Sequence, residues 1–181
     1  VSYNFRYTDG HRDQEINGTT YTSEYTSNNG TAHFGYAFNK HWYVGLDSYA
    51  MKMNINDPGP EGYTISSESD DLEVFDITRG GTVMQIGNTY NNIEGSLQLY
   101  GNWGHHLSTL PGYDDQDNYE SYDSMYGAKL KETITPFEGT NITLGAEGRR
   151  YGGKSYNKRT NETYTNDKYI KEGSGFGLLE Q

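Results

Sequence analysis

Cysteine is absent from this 181-residue chain. That excludes a disulfide framework and a thiolate metal site. Cations are few: 14 Lys and Arg against 25 Asp and Glu leave a net charge of −11. No basic cluster of useful size exists, which argues against nucleic acid as a partner. No apolar run approaches the ~20 residues of a transmembrane helix. There is no initiator Met and no signal peptide. Neither a Gly-x-Ser-x-Gly elbow nor a His-Glu-x-x-His pattern occurs, so an enzymatic reading such as an outer-membrane hydrolase has no nucleophile or zinc motif behind it.

What is present is alternation. Three tight turns and four long polar loops follow one another along the chain. Around Asn39-Lys40-His41, Ala32, Phe34, Tyr36 and Phe38 share one face, as do Trp42, Val44, Leu46 and Ala50 beyond the turn. Around Asn91-Asn92, Met84, Ile86 and Tyr90 precede and Gly95, Leu97, Leu99 and Trp103 follow, while Glu94, Ser96, Gln98, Tyr100 and Asn102 take the opposite face. Around Pro136-Phe137-Glu138-Gly139 the apolar face carries Tyr126, Ala128, Leu130 and Ile134, then Ile142, Leu144 and Ala146. Lys129, Lys131, Thr143, Glu147 and Arg149 point the other way. A period of two over roughly ten residues suits a strand tilted across a bilayer. Charges confined to one face suit a polar lumen, and short turns on one side with long loops on the other suit an outer-membrane barrel. A soluble β-sandwich also alternates, but these runs exceed the usual ~5–6 residues of a globular strand.

The mean hydropathy of −0.94 does not oppose this, because only every second strand residue would meet lipid. Tyr supplies 18 aromatics beside 6 Phe and 2 Trp. Phe38, Trp42, Tyr43 and Tyr90 cluster by the turns, where a ring that is apolar in body and polar at its tip suits a membrane interface. The expected strands are 1–9, 30–38, 42–54, 77–90, 93–106, 122–135, 140–153 and 173–181, with loops 10–29, 55–76, 107–121 and 154–172 on the side opposite the turns. The expected fold is all-β: an antiparallel transmembrane β-barrel meander forming residues 1–181. Both ends fall inside strands, as expected of a segment of a longer polypeptide.

Several segments carry a family resemblance. Thr8-Asp9-Gly10-His11-Arg12 resembles a segment early in the barrel of TonB-dependent outer-membrane receptors. Asn56-Asp57-Pro58-Gly59-Pro60-Glu61-Gly62 is similar to the "PG" at the family's next loop. Asp76-Ile77-Thr78-Arg79-Gly80-Gly81 and Asn102-Trp103-Gly104-His105-His106 resemble segments of siderophore- and cobalamin-type members, and Phe176-Gly177-Leu178-Leu179-Glu180-Gln181 a recurring strand start. The resemblance implies about eight strands of a 22-stranded barrel. The family's N-terminal plug and Ton box are not in this sequence. It further implies active uptake of a scarce iron chelate, haem or cobalamin across the bacterial outer membrane. The partners it implies are TonB with the inner-membrane energising complex, a surface lipoprotein and outer-membrane lipid. The alternative is a self-contained eight-stranded barrel acting as an adhesin or structural anchor.

Four residues stand out as ligand contacts: His106, Tyr113, Arg149 and Tyr63. His105 and His106 must point to opposite faces, and the strand reading turns His106 to the lumen, where it could ligate haem iron or donate to a chelate. Its other reading is an interfacial His without a ligand. Arg149, with Arg150, Lys154, Lys158 and Arg159 around a loop mouth, could receive an anionic chelate; pairing with carboxylates, or with lipopolysaccharide phosphate, is the competing reading. Asp114, Asp115, Asp117 and Glu120 in one long loop, with Asp70, Asp71 and Asp76 in its neighbour, offer oxygen ligands for calcium. A merely solvated acidic surface has the same composition.

Overall fold

The computed structural model describes residues 1–16, 19–57, 73–109, 118–158 and 160–181. They form eight strands: β1 (Ser2–Ile16), β2 (Thr19–Ala37), β3 (Trp42–Asp57), β4 (Glu73–Thr89), β5 (Ile93–Thr109), β6 (Asn118–Phe137), β7 (Thr140–Asn157) and β8 (Thr163–Glu180). Each pairs antiparallel with the next in a single sheet of order β1 to β8. No contact joins β1 to β8 among the described residues, so the sheet is open.

The three short turns lie along one edge and are tied together. In the first, the Asn39 side-chain carbonyl accepts from the backbone N–H of His41 at 2.8 Å and of Trp42 at 3.0 Å, the Asx chemistry that lets Asn replace a backbone turn bond. His41 then reaches the second turn. Its Nδ1 lies 2.8 Å from the Thr89 carbonyl, and its ring stacks on Tyr90 at 4.3 Å. The Trp42 indole donates to the Tyr90 hydroxyl at 3.0 Å. The second turn reaches β6 through Thr135 N–H to the Asn92 carbonyl at 2.8 Å. The third needs a left-handed residue, and Gly139 supplies it at φ 83°.

Register fixes the two faces. Phe34 lies opposite Leu46, Leu46 opposite Met84, Met84 opposite Leu99, Leu99 opposite Ala128 and Leu97 opposite Leu130. This apolar face is open: Phe34 is 58% exposed, Leu130 51% and Leu144 56%. The reverse face is a lattice of polar cross-strand bonds. Gln85 donates to Tyr43 at 2.9 Å, Gln98 to Gln85 at 3.3 Å, Tyr100 to Glu147 at 2.6 Å, and Arg79 to Asp123 at 3.1 Å. Among the described residues only Ser23 and Ser27 are fully buried. The accessible surface is 12063 Å², against about 8,800 Å² for a folded monomer of this mass by the usual scaling. The sheet is one layer, with no packed interior.

The structure corrects two expectations. Segments 10–29, 55–76, 107–121 and 154–172 are not loops throughout: strands run through 10–16, 19–29, 55–57, 73–76, 107–109, 118–121, 154–157 and 163–172. Pairing satisfies the backbone whatever the side chains, so these extensions persist after the apolar alternation ends. Charges also are not confined to one face. Glu132 lies near the turns on the apolar side, between Gly95 and Leu144, and Arg150 with Lys171 sits at the outer margin of the apolar band.

Rings lying over glycines hold the strands side by side. An added Cβ would fall 2.8 Å from the Trp103 ring at Gly80, 2.9 Å from Tyr126 at Gly101, and 2.7 Å from Tyr49 at Gly81. Tyr43 covers Gly87, Tyr100 covers Gly127 and Phe176 covers Gly145 in the same way. Each ring is its glycine's direct cross-strand partner, an arrangement that covers strand glycines otherwise lacking side-chain packing. Gly127→Ala should therefore cost about 1–3 kcal/mol, since its methyl must displace Tyr100 and break the bond to Glu147. Gly45→Ala, where a Cβ meets nothing within 4 Å, should be neutral or gain roughly 0.5–1 kcal/mol. A reversible urea titration compares the two; equal midpoints would mean that the rings yield freely.

Candidate functional site

The chemistry collects at the end opposite the short turns, in two clusters on opposite faces. On the apolar side, register brings Glu120 (β6) beside Leu107 (β5) and Tyr156 (β7). Glu120 is only 5% exposed. Its carboxylate accepts from Tyr156 at 2.7 Å and from Tyr122 at 2.8 Å, and lies 2.8 Å from His105 Nε2. The His105 and Tyr122 rings stack at 4.5 Å. Lys154 holds its ammonium over the Tyr122 and Tyr156 rings, 5.3 and 5.9 Å from their centroids, an attraction to the ring faces. Burial alone would raise the Glu120 carboxyl. The hydrogen bonds of Tyr156, Tyr122 and His105, with the charge of Lys158, override it and hold the group down at about 2.

On the polar side an aromatic row crosses the sheet at the same height. His106 (β5) stacks with Phe75 (β4) at 5.7 Å and meets Tyr119 (β6) edge-on at 6.1 Å. Tyr119 stacks with Tyr164 (β8) at 6.0 Å, and the Tyr164 hydroxyl accepts from Asn157 at 3.2 Å. His106 Nε2 is buried without a hydrogen-bond partner. A buried polar atom left unpaired is costly, and a ligand group that met it would remove the cost.

No family model, curated protein or solved structure matches this chain. The site is therefore read from its own residues.

His106 lies on the polar face as the alternation requires, opposite to His105. Arg149 shares that face, level with Gly127 and Tyr100, six residues along β5 from His106; that is about 20 Å, so the two do not converge. Arg149 is engaged by Glu172, Nε to Oε2 at 2.8 Å, and Tyr151 donates to the same carboxylate at 2.7 Å. Carboxylate pairing thus accounts for Arg149. Tyr63, Tyr113, Asp70, Asp71, Asp114, Asp115 and Asp117 lie outside the described residues. Of the acidic set, Glu120 and Asp76 are described. Both stand in one row across β4 to β6, but Glu120 is taken by three side chains and Asp76 by Lys52 at 3.4 Å. No group of carboxylates and imidazoles placed to hold a metal occurs among the described residues.

The Glu120 cluster was missed by sequence reasoning, which placed Glu120 in a loop. Counting pairs outward from the turn at Glu138-Gly139 would set it opposite Asn157; the register shift between Ile134 and Phe137 moves it to Tyr156.

Because the folded carboxyl sits at about 2 against an ordinary 4.5, the cluster contributes stability above pH 4.5 that is lost as pH falls toward 2. The full contribution is on the order of 3 kcal/mol. Amide protection at the outer ends of β5–β7, taken relative to the intrinsic exchange rate at each pH, should therefore fall between pH 4.5 and 2. Glu120→Gln should be less protected at neutral pH and show no further acid loss of protection; a variant with unchanged acid loss would place the titration elsewhere.

Proposed function

We propose that this chain forms part of the wall of an outer-membrane β-barrel receptor that takes up a scarce iron chelate, haem or cobalamin, energised through TonB and the inner-membrane complex. The observation that carries this reading is the two-faced single layer. One face presents an uncovered apolar band, and the other a hydrogen-bonded polar lattice. A sheet with this division suits lipid on one side and a wet lumen on the other.

The dimensions agree. The strands run 15–20 residues, where about 9–11 suffice to span a bilayer. The apolar band fills the turn half, from the rings of Phe38, Trp42, Tyr90 and Phe137 near the turns to Trp103 and Tyr126, and two such levels suit the two interfaces. The outer strand halves then stand clear of the lipid. Among the described residues no helix is long and apolar enough to cross a membrane, which bears on helices alone. Open backbone edges are untenable in hydrocarbon, so the unpaired β1 and β8 edges favour a larger barrel over an eight-stranded barrel complete in itself. The row of Phe75, His106, Tyr119 and Tyr164 faces the lumen in this reading and offers its rings to a captured ligand.

Two measurements test the proposal. Cells expressing the full-length protein should accumulate one of the three ligand classes only with TonB present, and His106→Ala should lower capture; TonB-independent accumulation would refute the receptor reading. In vesicle refolding, Leu97→Arg should cost about 2–4 kcal/mol near the midplane and Gln98→Arg far less. Equal costs would remove the lipid face from Leu97.

A further inference from the structure

The lipid-facing side carries a feature that transport does not use. At the outer margin of the apolar band, Arg150 (β7) and Lys171 (β8) are direct cross-strand partners, level with Tyr126 and Gly101. Like charges placed opposite one another repel. Both are exposed, and neither forms an ion pair among the described residues, although Lys52, Arg79 and Arg149 each find a carboxylate. The Arg150 guanidinium lies over the Tyr169 ring at 3.9 Å, which fixes it in place while leaving its edge donors free.

Directly outward is a cleft of about 510 Å³, walled by Trp103, His105, Tyr122 and Tyr169, with Lys154 and the hydroxyls of Ser124 and Thr78 on its lining. Asp167 also lines it, without an ion pair to Lys154. The Glu120 carboxylate behind Tyr122 accepts from phenols that carry no charge and so keeps its own, while Asp123 is held by Arg79. The charge facing the cleft and its lower margin is thus three cations against two carboxylates, Asp167 and Glu120.

We infer that Arg150, Lys171 and Lys154, with the cleft beside them, bind the phosphate-bearing headgroup of an anionic membrane lipid. The phosphate sits between Arg150 and Lys171, where charge-assisted hydrogen bonds replace mutual repulsion. The polar remainder of the headgroup lies in the cleft against Trp103 and Tyr122, towards Lys154, and the acyl chains run down the apolar band. The height is the one a headgroup would occupy, so the inference rests on the barrel reading.

The test uses the full-length protein in nonionic detergent, with native mass spectrometry counting retained lipid. Short-chain phosphatidic acid should be retained over phosphatidylcholine of the same chains. Arg150→Gln with Lys171→Gln should weaken retention about tenfold or more, as expected for a lost charge-assisted contact, and Arg150→Lys should retain part of it. Lys154→Gln gives a second, independent loss. Equal retention of both lipids, or no change in the double variant, overturns the site. Displacement of the lipid by an equal concentration of inorganic phosphate also overturns it, because the headgroup would then contribute nothing beyond its phosphate. If instead the protein fails to enter vesicles while the detergent titration behaves as expected, the barrel reading fails and the anion site stands.

Discussion

Everything in this molecule depends on its being one sheet thick. A packed domain hides its apolar residues between layers; among the described residues no second layer exists, and each residue meets whatever lies on its own side. Alternate residues are therefore selected for different surroundings. The backbone ladder joins every strand to the next, with register shifts in β1–β2, β6–β7 and β7–β8, so cohesion comes from that ladder and from contacts that reach across one or two strands. The Gln98–Gln85–Tyr43 chain and the rings laid over glycines are both of this kind. They are short-range solutions suited to a structure without a centre.

The two ends of the strands have different characters. At the turns, His41, Trp42 and Tyr90 clamp adjacent hairpins, and the chain is held by few residues. At the other end the strands continue past the apolar band and gather carboxylates, imidazoles and phenols. Consecutive residues serve separate purposes there. His105 completes the shell around Glu120, while His106 joins the aromatic row on the reverse face. A chain with period two can build independent chemistry on both sides of one strand, and the outer half of this sheet does so.

The strands in the apolar band were legible because Leu97 and Gln98, or Leu144 and Thr143, differ so plainly in kind. The outer extensions were not. In residues such as Thr20, Thr22, Ser23 and Glu24 both faces are polar, so periodicity vanishes while pairing continues. Residue composition alone suggested metal ligation at Glu120. Its actual partners are His105, 15 residues away, and Tyr156, 36 residues away, and only register brings them near. His106 was placed on the polar face by alternation, but its ring neighbours Phe75 and Tyr119 come from two other strands and could not be read locally. Arg149 illustrates the same limit: Glu172, 23 residues on, lies in a segment whose sequence reads as loop.

The rings over glycines also bear on how the sheet is put together. Tyr43, Tyr49, Tyr100, Trp103, Tyr126 and Phe176 each fit over a residue that has no side chain. Slide one strand past its neighbour by a single position, and every residue of the strand turns to the wrong side, while most rings meet a side chain where they need a gap; only Tyr49 and Trp103, beside the pair Gly80-Gly81, find a second glycine in one direction. A slip of two restores the sides but still blocks most rings. The glycines thus work as notches, each accepting one tooth from the next strand. A hairpin that has found its alignment is locked there before its neighbour arrives, and the sheet can grow strand by strand without an interior to correct its errors.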